Sequence, residues 1–406
     1  MLRHAEASAA RRTRERRATR SVTPFLITGT TFFMLLAGVN LPTPLYAVYQ
    51  ERFHFSSAVL TLVFATYALL LAPSLLLFGQ LSDRFGRRVV IGGGLVAAIV
   101  GLALFASARG TAWLFAARAA QGIAVGAISG TATAALVELE PSGDTRRAAL
   151  PSGLAQAGGS AAGAIAAGVL AQWAPAPRTL CYVIWIGITV VCAAGIATIP
   201  EPVRRRGEWR IQRPSVPAAI RRPFARATLA ATAFWAVAAL YLSIVPSYLR
   251  KVLSTHNLAL VSALSALVLV ASCCGQLLTL RPRLSNRAAQ AAGLGLLALG
   301  LVFLVAALPL HSLAVVIAGA VLAGAGHGLG FLASQTDIND VAPEERRGEV
   351  TSAFAMCIYA GVATSVIGVG LLTLRLSLFA SVAAFAGAIA AVAVATACWH
   401  LASASE

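Results

Sequence analysis

The sequence predicts an all-α integral membrane protein, with twelve transmembrane helices arranged as two related six-helix bundles. Three observations carry that prediction. The chain of 406 residues is 58% hydrophobic and only 12% charged, about half the charged share of a soluble domain. Its apolar runs each come close to the ~20 residues that cross a ~30 Å hydrocarbon core as a helix. Its basic residues are sorted by side, as the positive-inside rule requires.

Apolar windows bounded by charge, Pro or Gly fall at residues 24 to 47, 58 to 78, 89 to 107, 112 to 137, 152 to 173 and 180 to 199. Six more fall at 228 to 249, 257 to 280, 289 to 309, 313 to 335, 350 to 373 and 377 to 401. These runs are too long for barrel strands, and an open sheet would leave its backbone polar groups unsatisfied in lipid, so helices remain. With the N-terminus inside, 25 of the 32 basic residues fall in cytoplasmic segments and 6 outside. That bias places both termini in the cytoplasm of a multi-pass protein, with the bacterial inner membrane as its expected home. The net charge of +17 therefore reads as topology and not as nucleic-acid binding.

Residues 1 to 23 form a basic tail, an orientation signal first and a contact for anionic lipid headgroups second, at about 1 kcal/mol per basic residue near the surface. No small-residue cleavage site follows at the right distance, so span one is expected to be retained. The longest charged connection, residues 201 to 227, carries Pro202, Pro214, Pro217 and Pro223 and reads as a linker between bundles at 24 to 200 and 228 to 401. A short tail, 402 to 406, closes the chain. All six cysteines, Cys181, Cys192, Cys273, Cys274, Cys357 and Cys398, fall in apolar spans. They make no disulfide framework or metal spacing and read as small buried hydrophobes. Trp113, Trp173 and Trp399 mark span ends, where an amphipathic indole prefers the headgroup level.

Sequence echoes relate the halves. Gly79-Gln80-Leu81 recurs as Gly275-Gln276-Leu277, Gly122 and Gly126 as Gly324 and Gly328, Arg146-Arg147 as Arg346-Arg347, and Gly159 and Gly168 as Gly361 and Gly370. Four matches in order at nearly one offset indicate a duplicated six-helix unit. The second copy has decayed after Leu277, where no Asp or second Gly stands in register.

Between spans two and three runs Gly79-Gln80-Leu81-Ser82-Asp83-Arg84-Phe85-Gly86-Arg87-Arg88, which reads as a short basic cytoplasmic loop. Gly79 is expected to let the helix end pack closely on its neighbour and Gly86 to permit the turn into span three. Arg84, Arg87 and Arg88 have Glu138 and Glu140 as candidate partners at the end of span four. Asp83 is a carboxylate suited to the positive end of another helix.

With twelve spans in two related halves, this decapeptide resembles the loop motif of the major facilitator superfamily of secondary transporters, with Ser82 where Ala is usual. The likeness covers roughly residues 24 to 401. It implies that fold, a substrate site between the halves, and a gating contact from Asp83 to the start of span eleven near Glu349 to Ser352. A second string, Leu114-x-x-x-Arg118-x-x-Gln121-Gly122, resembles a motif common in proton-driven exporters of the family. Span five carries Gly153, Gly158, Gly159, Gly163 and Gly168, but Ala164 stands where such exporters often have Pro. Close helix packing accounts for those glycines equally well. Pro200-Glu201-Pro202 resembles an ending after span six that many members share.

Polar and aromatic groups at cavity depth are Asn40, Thr43, Tyr67, Arg118, Gln121 and Gln156 in the first half and Trp235, Tyr241, His327 and Tyr359 in the second. For any single Tyr or Trp a packing role competes with ligand contact. Arg118 is expected to face the cavity, since a buried charge costs a few kcal/mol, with snorkelling to the outer interface as the alternative. None of the 15 acidic residues sits at mid-membrane, so proton coupling lacks its usual carboxylate. His327, with a reference pKa of about 6.5, is the mid-span group able to titrate near neutrality, against a purely hydrogen-bonding role. Arg118 and His327 are thus the coupling candidates.

The expected function is alternating-access transport of a small organic solute by a monomer, with protons and lipid as further partners. Export of an amphipathic compound leads. Uptake or facilitated transport of an anionic metabolite is the runner-up, and a transport-dead receptor or scaffold on the same fold is the alternative of another class. No catalytic constellation, phosphate loop or metal cluster appears, so neither an enzyme nor a cofactor is expected.

Overall fold

The computed structural model describes residues 22–141, 151–201, 215–278, 285–343 and 346–402. Most of the basic tail, Arg146-Arg147, linker residues 202 to 214 and the last four residues lie outside them. Among the described residues twelve helices are long and apolar enough to cross a membrane. They are spans one to six, Val22–Phe53, Ser57–Phe85, Arg87–Ala106, Thr111–Leu139, Pro151–Trp173 and Leu180–Thr198, and spans seven to twelve, Ala218–Ser243, Leu258–Leu277, Asn286–Leu310, Leu313–Val341, Gly348–Leu372 and Leu378–Leu401. The described residues contain no strand.

Several boundaries differ from the apolar windows, each for a local reason. Span two does not stop at residue 78: its helix runs through Gly79 and Asp83 to Phe85, leaving Gly86 as the whole connection to span three. Charge ends a hydropathy window, but it does not end a helix. Span seven likewise starts at Ala218, because Pro223 falls in the first turn of the helix from Arg221, where the missing N–H costs nothing. Span one is longer and broken at Leu41, where Pro42 opens a second helix that runs to Phe53. Spans two, four and ten each have 29 residues, about 44 Å of helix, so each reaches past a ~30 Å core. The cysteines also need correction. Only Cys181 is buried, while Cys274, Cys357 and Cys398 are exposed.

The repeat is visible as packing. A Cβ at Gly122 or Gly126 would collide with the carbonyl oxygens of Tyr67 and Leu71 in span two, and one at Gly324 or Gly328 with those of Val268 and Ser272 in span eight. Span four therefore lies on span two as span ten lies on span eight. Such close backbone approach is how helices associate where lipid removes the hydrophobic driving force.

The halves meet firmly at the end away from the arginine cluster. There Gly168 of span five packs on Ser262 of span eight, and its counterpart Gly370 of span eleven packs on Thr61 of span two. Arg250 reaches Glu51 at 3.0 Å, and Gln172 Oε1 accepts the backbone N–H of Leu258 at 2.8 Å. These contacts seal that far end.

Candidate functional site

A cavity of about 580 Å³ lies between the halves and reaches the basic end. Its walls there carry Gly79 and Asp83 of span two, Thr133 of span four, Gln335 and Asn339 of span ten, and Glu349 and Ser352 of span eleven. Deeper in, Ser129, Gln156, Trp235 and Tyr359 line both this chamber and a narrow apex of about 70 Å³. The apex is walled by Leu36, Asn40, Phe64, Tyr67 and Val362 among others, and among the described residues its one charged lining residue is Arg118. A chamber of this size takes a solute of ordinary metabolite or drug dimensions.

Arg118 does not snorkel. It is only 1% exposed, and Nη1 donates to the Val39 carbonyl oxygen at 3.0 Å and to Gln121 Oε1 at 2.9 Å. Gln121 in turn donates to the Gly38 carbonyl, so its role is to brace the arginine, and it does not line the cavity. The guanidinium carbon stands 5.4, 5.1 and 5.5 Å from the ring centres of Tyr46, Phe64 and Tyr67. Electron-rich ring faces partly offset a buried cation. They leave Nε and Nη2 without a hydrogen-bond partner among the described residues.

Gln156 owes its place to a π-helical turn at Ala155–Gly159, just ahead of Ala164. One extra residue per turn re-aims a side chain, and such turns recur at functional sites. Gly159 and Gly163 set this turn against the backbone of Phe33 and Ala37 in span one.

At the basic end, the motif is a corner and not a loop. Gly86 has φ of 101°, a conformation that suits glycine. Arg87 is buried at the start of span three and gathers the ionic contacts: Nη1 lies 2.6 Å from Asp83 Oδ1 and Nη2 3.0 Å from Glu138 Oε1, and Nη1 also donates to Ser82 Oγ. Arg84 instead sits over the Phe85 ring, and Arg88 donates to the Ile199 carbonyl. Gly79 differs from expectation, because nothing lies within 4 Å of where its Cβ would be. It borders the open cavity instead of packing on a neighbour.

Sequence reasoning missed Glu201. Its carboxylate accepts the backbone N–H groups of Arg87 at 2.8 Å and Arg88 at 3.1 Å, capping span three across the corner. The Pro-Glu-Pro string was the available signal, and nothing in it points to a helix start so far away in the chain. Ser129 was also missed, though it follows Arg118 by three helical turns on the same face.

Of the nominated cavity residues the structure brings together Asn40, Tyr67, Arg118, Gln156, Trp235 and Tyr359. Tyr241 is buried outside the cavity lining, and so is Thr43. His327 is displaced as well: it is 1% exposed, shares a 2.8 Å hydrogen bond between Nδ1 and Ser272 Oγ, and lies edge-on to Trp235 with ring centres 5.1 Å apart. Trp235 and Phe331 stand between it and the chamber they line. Glu349, in the first turn of span eleven, is held by Arg346 at 2.8 Å, while Asp83 faces the same cavity and pairs with Arg87.

Comparison with known proteins agrees with this architecture. Three solved structures are alike in fold. A bacterial homologue of the human lysosomal transporter Spinster, in an inward-facing and unoccupied conformation, has a TM-score of 0.68 at 16% identity over 94% of this chain and 95% of its own. A variant of the nucleoside transporter NupG has a TM-score of 0.70 at 12% identity over 93% and 99%. A POT family transporter in complex with 5-aminolevulinic acid has a TM-score of 0.74 at 12% identity over 91% and 94%. No curated protein matches the sequence. The family model described as Major Facilitator Superfamily matches residues 28–366 and, in a second match, 283–405, so the chain belongs to the Major Facilitator Superfamily of membrane transporters.

Proposed function

We propose that the protein is a secondary active transporter that exports a small amphipathic organic solute across a bacterial inner membrane by rocking its two halves. The observation that carries this reading is the cavity itself, open toward the basic end, sealed at the far end, and lined at its apex by aromatic and aliphatic side chains around one cation. The positive-inside bias makes the basic end cytoplasmic, so the conformation is the one that loads solute from within. Export is further supported by the span-four string around Arg118 and Gln121, which resembles that of exporters. Asp83 is the proposed gate: when the basic end closes it leaves Arg87 for the start of span eleven, beside Glu349.

Uptake or facilitated passage of an anionic metabolite is a second reading, favoured by Arg118 being the one charge at the apex. A thermal-shift screen of a solute library on purified protein, followed by transport of the hits in proteoliposomes with and without a proton gradient, tests both. Hits moving outward support export. Binding without movement would favour a receptor or scaffold.

A further inference from the structure

We infer that the cargo is an organic monoanion with an apolar body, carried as the anion, so that its own charge couples transport to the membrane potential. The inference rests on the transporter reading above. It begins with Arg118, whose Nε and Nη2 are buried and unpartnered among the described residues. A guanidinium keeps its proton at any physiological pH, so it cannot escape burial by neutralising itself as a lysine could. Its neighbours are three rings, the Val39 carbonyl and the Gln121 side-chain amide, and among the described residues no Asp or Glu lines the apex. Nε and Nη2 share one edge of the planar fork, the edge that complements a carboxylate, and the Tyr46 hydroxyl stands beside the guanidinium.

Shape agrees with charge. The apex of about 70 Å³ has room for a few waters or one carboxylate, and not for a whole solute. The chamber of about 580 Å³ beneath it is reached past Trp235, Tyr359, Gln156 and Ser129. Head and body spaces thus adjoin, sharing Ser129, Gln156, Trp235 and Tyr359, with the anionic slot innermost. His327 lies outside both, and among the described residues neither space is lined by a carboxylate near Arg118 that could carry a proton. A bound anion offsets the Arg118 charge on the outward stroke, and the empty carrier returns with Arg118 uncompensated. Each cycle moves one negative charge outward, which an inside-negative potential drives. At 100 mV this sustains roughly a fifty-fold gradient of a monoanion.

The test uses two matched series on the purified full-length protein: 2-naphthoate, 2-naphthamide and 2-naphthylmethylamine, and 4-phenylbutyrate, its amide and its amine. Binding is read as quenching of tryptophan fluorescence, with Trp235→Phe identifying the part due to the chamber. The acids are expected to bind about 10- to 100-fold more tightly than their amides, as charge-assisted bonds to a buried fork require. Arg118→Gln should abolish the preference of the site for each acid over its amide, with an unchanged thermal unfolding midpoint showing that the variant is folded. In proteoliposomes clamped with potassium and valinomycin, acid flux should reverse with the sign of the potential. Amides or amines binding as tightly as the acids, with flux indifferent to potential, would overturn the anion inference while leaving an amphiphile transporter standing. If no member of either series binds or moves through folded protein, both readings fall.

Discussion

The corner between spans two and three makes a quantitative prediction, because one residue blocks the space that another needs. Glu201 caps span three through the N–H groups of Arg87 and Arg88. Losing such a cap costs about 1 kcal/mol for a solvent-exposed carboxylate. Gly86→Ala should cost more. Alanine at φ 101° is strained by ~1–3 kcal/mol, and its Cβ would fall 2.5 Å from Glu201 Oε2, so the cap is lost as well. In a Glu201→Ala background only the strain remains to be added. The double variant should therefore be no less stable than Gly86→Ala alone, leaving a coupling of about 1 kcal/mol. Thermal unfolding in detergent, followed by intrinsic fluorescence, is the assay. Glu201→Ala should lower the midpoint by about 2 °C, Gly86→Ala by about 4 to 8 °C, and the pair by the Gly86→Ala value. A double variant that melts below Gly86→Ala by the full Glu201→Ala shift would refute the shared-space reasoning.

Three further outcomes are expected. Asp83→Asn should insert and fold normally yet slow turnover by roughly two- to fivefold, the worth of one exposed charge at a helix N-terminus; normal transport in vesicles would reduce the motif to a topology signal. Gly370→Val would drive methyl groups into Thr61 and loosen the far-end seal. A reporter cysteine at position 40 in a cysteine-free background should then react faster with an impermeant maleimide applied from that side, and an unchanged rate would mean that the seal lies elsewhere. His327→Asn removes the partner of Ser272 and the ring behind Trp235, lowering stability by about 1–3 kcal/mol. Its response to an imposed pH gradient should stay that of the parent, and loss of that response would restore the histidine as a proton carrier.

Much of the architecture was legible because lipid imposes it. A helix must supply ~20 apolar residues to cross, and those runs stand out in the sequence. The ends of the helices were less legible, since Gly79 and Arg226 bound an apolar window without stopping the helix. Rotation was least legible. Span ten carries no apolar stripe that distinguishes the face of His327 from that of Gln335, and only packing on Ser272 and Trp235 turns the histidine away from the chamber. Arg118 could be read because a lone charge at depth has few places to go. The partnership of Glu201 with Arg87 could not, because the two are far apart in the chain.

A permanently charged arginine at the blind end of the cavity also bears on leakage. A carrier that opens alternately to either side is in danger of passing small cations during the exchange, and every sodium or hydronium ion that slips through drains the cell's gradients. Fixed positive charge in a narrow apex raises the electrostatic barrier to such ions at the point where both routes must converge. Replacing Arg118 with a neutral residue would then do more than impair transport, because it would turn the carrier into a slow ionic short circuit.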